Sequence, residues 1–195
     1  ICQLIRQDLI SEFITYVKKN DFPLKSEIKR SIFETNSFLL SKERITLIEY
    51  AVFFGSVQIF KYLYKNGVDL NQRLWLFAIH GDDPEIFQIF EDEKLPFTNC
   101  YYLECIEECV KCHNISVLNY IQDNYNNYHV NFYDIHYYNF ACFPERFESI
   151  SILNDACKYD NFEIVNYYMK TKKIDINQSF NGILKKIFFC LMKHL

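Results

Sequence analysis

Three cysteines, Cys105, Cys109 and Cys112, fall at i, i+4 and i+7, with His113 beside the last and Cys100 shortly before the first. On a helix that spacing gathers three thiols on one face. Thiolate and imidazole are ligands for zinc, so the group has to be weighed as a metal site. Structural zinc sites join ligands of a tight loop to ligands from elsewhere, and no Cys-x-x-Cys pair is repeated in this chain. A buried free cysteine is the simpler reading. Neither a metal nor a cofactor is expected.

Covalent catalysis is no better supplied. Cys112 and His113 are sequence neighbours, and successive side chains on a helix diverge by about 100°. The chain has no glycine-rich phosphate loop, and no Ser/His/Asp set stands out by position. The Asp82-Asp83 pair suits a helix end followed by a helix start. No enzymatic activity is expected.

The elements that carry these residues repeat. The fullest copy runs from Thr46 to Asn71. Ala51 is answered by Ala78, Cys109 and Ala156, small residues that let two helices approach. Eight residues on stand Ile59, Ile86, Val117 and Ile164, each followed by Phe60, Phe87, Leu118 and Val165. Then come Leu63, Phe90, Ile121 and Tyr168, completing an i, i+1, i+4 apolar stripe on a second helix. Between the stripes, Gly55, Asp82, His113 and Asp160 occupy a position suited to positive φ. Ser56, Asp83, Asn114 and Asn161 follow as N-caps, and Pro84 stands at a first helical position. Local rules of different kinds choose the same boundary, which predicts stacked helix-turn-helix units of irregular length.

Thr46, Ala51, Gly55, Ile59, Leu63, Gly67, Asp69 and Asn71 resemble the ankyrin repeat, and Asp175-Ile-Asn177 repeats its Asp-x-Asn ending. Leu47 to Ser56, Leu74 to His80, Ile1 to Arg6 and Ser31 to Phe38 are similar to a degenerate ankyrin-like domain multiplied in some parasitic protists. Leu47 stands in place of the family's proline and Glu49 in place of its histidine. The interval from Ala51 to Ala78 is shorter than the usual repeat of about 33 residues, which leaves little chain for a hairpin finger.

That resemblance implies an all-α, ankyrin-like solenoid. Residues 1–45 would form an N-terminal helical cap, a worn repeat, and 46–177 the ankyrin-like repeats, with an insertion at 124–149. Residues 178–195 would form an apolar basic tail or a truncated repeat. Within the cap, Ile1 to Asn20 reads as one helical unit, Ser26 to Phe33 as a short helix, and Glu34 to Arg44 as a polar connection. The insertion reads as a long loop with an added helix around Tyr133 to Phe140.

The resemblance also implies binding of another protein on the concave, first-helix face. The outward positions would be Tyr50, Phe53 and Phe54; Phe77 and His80; Glu108 and Lys111; Asp155, Lys158 and Tyr159. Exposed aromatics there would act as anchors, although Phe53 and Phe54 could instead fill gaps between irregular repeats.

Composition narrows the rest. In 195 residues half are hydrophobic and 18% aromatic, enough for a core, while 4 Gly and 4 Pro favour helices over a turn-rich β fold. A net charge of −4 without a basic stripe gives no nucleic-acid footprint. Arg6 and Asp8 interrupt any leader-like start. The longest uncharged stretch, Tyr50 to Phe60, falls well short of the roughly 20 apolar residues of a membrane span. Eight cysteines without a leader imply free thiols in the cytoplasm. A monomer is expected, and the start at Ile1 reads as a fragment. The segment Ile183 to Leu195, with Lys185, Lys186 and Lys193 among bulky apolar residues, offers an alternative reading as an interfacial helix.

Overall fold

Caps and left-handed turns cut this chain into short α-helices. The computed structural model describes residues 1–29, 31–125, 137, 156–159, 161–163 and 165–166. Two compact units divide the chain, Ile1–Asn126 and Asn127–Leu195. Among the described residues, the first unit holds nine helices: α1 (Cys2–Arg6), α2 (Ile10–Asn20), α3 (Ser37–Ser41), α4 (Leu47–Phe53), α5 (Val57–Lys65), α6 (Leu74–Gly81), α7 (Pro84–Asp92), α8 (Asn99–Lys111) and α9 (Ile115–Tyr125). The described β structure is a single antiparallel bridge between Glu27 and Thr46.

The boundaries have local causes. Thr46 opens α4 with a capping box: its hydroxyl accepts the Glu49 N–H (3.3 Å) while the Glu49 carboxylate accepts the Thr46 N–H (2.8 Å). Asp83 caps α7 by accepting the N–H groups of Glu85 and Ile86, with Pro84 at the first turn. Asn114 caps α9 through Val117 (3.1 Å). Gly55, Asp82 and His113 all have positive φ (62°, 48° and 56°), as their matched places in the sequence require. Asp8 joins them at 49°. Leu9, Ser56 and Asn114 each donate a backbone N–H to the carbonyls of Leu4, Ala51 and Cys109, at 3.0, 2.8 and 2.9 Å. The second helices end alike, with Asp21, Gly67 and Lys94 at positive φ.

These turns pair the helices. α1 packs on α2, α4 on α5 and α8 on α9, while the first members form a row in which α4 touches α1 and α6, and α6 touches α8. α2 lies against α5. The matched small residues Ala51, Ala78 and Cys109 are buried, as are Ile59, Ile86 and Val117 on the second helices. α6 sits in the middle of the row, and Leu74 to Ile79 are all buried. A helix apolar on every side can be stable in water only where it is covered on every side. Trp75 illustrates this, ringed by Phe87, Phe90, Phe97 and Tyr125 at centroid distances of 4.9 to 6.0 Å.

Two expectations for the N-terminal part are corrected. Ile1 to Asn20 is two helices broken at the left-handed Asp8, not one continuous helix, because α1 ends in the same turn as α4. The described residues from Ser26 to Phe33 are not helical: Ile28 N–H bonds to Ile45 O (2.7 Å), and Leu47 N–H to Ser26 O (3.2 Å). The helix lies further on, within the stretch read as a polar connection. Asn36 caps α3 through the Leu39 N–H (3.1 Å), and Phe38 and Leu39 are buried.

In the second unit, Ala156, Cys157 and Val165 are buried. Asn161 N–H bonds to Ala156 O at 2.8 Å, the same turn bond that Ser56 makes to Ala51. The expected insertion helix at Tyr133 to Phe140 lies outside the described residues save Tyr137. Ile164, Tyr168, Asp160, the Asp175-to-Asn177 ending and the tail at 178–195 also lie outside them. Among the described residues, no helix is long and apolar enough to cross a membrane.

Candidate functional site

The first-helix row is where a binding face was expected, and much of it is closed. Tyr50, Phe53 and Phe77 are buried, the last completely. The reason is α3, which folds back across the row. Its Phe38 ring stacks on Phe53 (5.7 Å, 15°) and meets Phe77 edge-on (5.2 Å, 82°). A short helix five residues long is thus enough to convert Phe53 and Phe77 into core. Tyr50 is held from the other side, where the Arg6 Nε–H donates to its hydroxyl (2.6 Å). Burial raises the Tyr50 phenol above its ordinary range, with Arg6 opposing the shift. Phe54 is half-buried, with the Arg6 guanidinium 4.9 Å from its ring centre.

The remaining expected residues lie elsewhere. Lys111 is half-buried and pairs with Glu107 (2.6 Å). Lys158 is exposed and sits 4.9 Å from the ring of half-buried Tyr159, both in the second unit. Asp155 lies outside the described residues.

His80 and Glu108 are brought together, and Cys112 joins them. His80 Nε2 stands 3.2 Å from Glu108 Oε1 and 3.7 Å from Cys112 Sγ, and Sγ stands 3.7 Å from the same carboxylate oxygen. Among the described residues this is the one group of three side chains whose ligand atoms could hold a metal. The His80 ring is clamped between Phe53 (4.6 Å, 29°) and Phe38 (4.3 Å). Burial pushes the Glu108 carboxyl up, but the hydrogen bond and charge of His80, with Lys111 and Lys42, outweigh it and hold the group below the carboxylate norm. Cys112 is pushed up to about 12, first by burial and then by the Glu108 charge and hydrogen bond. A thiol held protonated in this way is a poor nucleophile.

Cys112 stands against His80 of the neighbouring first helix, and its sequence neighbour His113 is exposed. Cys105 and Cys109 point into the core, and burial foremost raises the Cys105 thiol further still. The signal for the trio was present in the register. His80 stands two residues past Ala78, while Glu108 and Cys112 flank the matched Cys109 on the adjacent first helix.

A second feature has no counterpart in the expected set. A cavity of about 450 Å³ opens between α1, α3 and the stretch from Ile28 to Glu34 that precedes α3, with Ile28, Leu39 and Tyr50 among its apolar lining and Arg6 and Glu34 joined at 2.7 Å. Phe33 and Leu40 both line it and are exposed, Phe33 to 83%, and Ile32, next to Phe33 in the chain, is 92% exposed. No protein-family model matches the chain, no curated protein matches it, and no solved structure matches its fold.

Proposed function

We propose that this chain is an ankyrin-like helical repeat module that binds another protein, using the edge formed by Ile32, Phe33 and Leu40 and the cavity behind it. The row of first helices, the left-handed Gly55, Asp82 and His113, and the buried small residues Ala51, Ala78 and Cys109 support the repeat reading. The exposure of Ile32 and Phe33 carries the binding reading. Large apolar side chains next to each other on a surface mark contact sites, and an aromatic anchor beside a pocket is the usual centre of such a contact. The partner presents an apolar segment flanked by acidic groups, because Arg6, Lys29 and Lys42 outnumber Glu34 and Glu43 around the cavity. The module acts as a monomer in the reducing cytoplasm, where the described cysteines remain thiols.

Affinity capture with the full chain tests this reading. The same lysate is passed over wild type, the double variant Ile32→Ser/Phe33→Ser, and Leu103→Ser, an exposed control on α8. A protein retained by wild type and Leu103→Ser is then purified and titrated against all three. The double variant should bind it more than about tenfold more weakly, or about 1.4 kcal/mol. If no purified partner distinguishes the double variant from wild type, the proposed surface is wrong.

A further inference from the structure

We propose that His80, Glu108 and Cys112 form a binding site for a zinc-class divalent cation that ties α6 to α8. Three kinds of ligand converge, an imidazole nitrogen, a carboxylate oxygen and a thiol sulfur, all of which zinc accepts. Their spacing fits as well. With zinc distances of about 2.0–2.2 Å to nitrogen or oxygen and 2.3 Å to sulfur, tetrahedral ligands stand about 3.3 Å apart for N···O and about 3.6 Å for either contact to sulfur. The distances here are 3.2 Å for Nε2···Oε1, 3.7 Å for Sγ···Nε2 and 3.7 Å for Sγ···Oε1. Sγ also stands 3.6 Å from Nδ1, off the in-plane lone pair of Nε2, so Cys112 must turn about its Cα–Cβ bond to bring sulfur onto an ion held there.

The surroundings hold these groups in place. Phe38 and Phe53 fix the plane of the His80 ring. Glu108 divides its oxygens, with Oε2 facing Lys111 (3.8 Å) and Oε1 facing His80 and Cys112. Lys111 itself leans to Glu107 at 2.6 Å, which moderates its charge near the ion. All three ligand residues are partly open to solvent, so a water can fill the fourth position. The thiol proton leaves when sulfur ligates the ion. The site joins two helices whose first-helix packing already brings them together, so the cation would act as a clip between consecutive repeats.

Cobalt(II) is the probe, because its spectrum reports both thiolate ligation and four-coordination. The intact, chelator-treated chain is titrated with cobalt(II) alone and then with zinc(II) in competition. Wild type should take up one ion and show the sulfur-to-metal charge-transfer band with strong visible absorption. Cys112→Ser should lose that band. His80→Gln and Glu108→Gln should weaken binding by more than about 100-fold, since even an outer partner of a ligand is worth about 10–100-fold. Cys2→Ser, away from the trio, should bind as wild type. Circular dichroism checks that each variant is folded, and the near-isosteric Glu108→Gln serves if another is not. A hydrogen-bonded trio without metal affinity would give no band in wild type. A band that persists in Cys112→Ser would assign the ion to other thiols. Either result overturns the site.

Discussion

The carboxylate of Asp8, in the turn between α1 and α2, accepts the backbone N–H of Ile59 in α5 at 3.0 Å, and that of Gln58 at the same distance. Ser56 stands at the N-cap of α5 yet makes no cap bond of its own. Its buried hydroxyl donates instead to the carbonyl of Ile5, near the end of α1. Neighbouring pairs therefore exchange caps: one supplies an acceptor for orphan N–H groups, the other a second donor for a carbonyl at a helix end that already accepts the Asp8 N–H. Stacking and helix termination become the same interaction.

Asp8→Ala should accordingly destabilise the protein by about 1.5–4 kcal/mol. Loss of a cap costs about 0.5–2 kcal/mol, and a residue with Cβ in the left-handed region about 1–2 more than one that tolerates it. Asp8→Asn keeps both the acceptor and the tolerance, and should stay within about 0.5 kcal/mol of wild type. Urea unfolding of both variants measures the difference.

Gly81 offers a test in which two effects have opposite signs. As a helical residue, its change to alanine should gain about 0.5–1 kcal/mol from chain entropy. However, an added Cβ would lie 2.2 Å from Val52 O and 2.9 Å from Gly55 N, backbone atoms that cannot swing aside. Overpacking costs about 1–3 kcal/mol or more, so Gly81→Ala should be less stable than wild type, again by urea unfolding.

Phe38 covers the first-helix row. Phe38→Ala should cost about 3 kcal/mol and uncover Phe53 and Phe77, raising the fluorescence of an apolar-surface dye in the native state. Phe38→Leu should recover much of the stability. If Phe38→Ala leaves both signals unchanged, α3 is not the cover described above.

The repeat was legible because its signals are local. Positive φ at Gly55, Asp82 and His113 and capping at Asp83 and Asn114 follow from residue type alone. The capping box is equally readable in Thr46-Leu-Ile-Glu49, whose Glu49 is also a departure from the ankyrin pattern. What could not be read was which side of a first helix would meet another element. α3 is too short to show a helical period, and Phe38-Leu-Leu40 gives no hint that it crosses Phe53 and Phe77. The pairing of His80 with Cys112 likewise depends on two helices being adjacent, not on any spacing within one. His113 is the sequence neighbour of Cys112, whereas the packing of α6 on α8 brings in His80.

Paired helices stack with their first members enclosed, so that the row through α4 and α6 is core and the stretch at Ile32 and Phe33 is surface. Residue-resolved amide hydrogen exchange on the intact chain tests it most directly. The amides of Ala51 to Phe53 and Ala78 to Ile79 should exchange only through global unfolding, while those of Ile32 and Phe33 exchange close to the free rate. Exchange of the α4 and α6 amides as fast as that of Ile32 and Phe33 would contradict it.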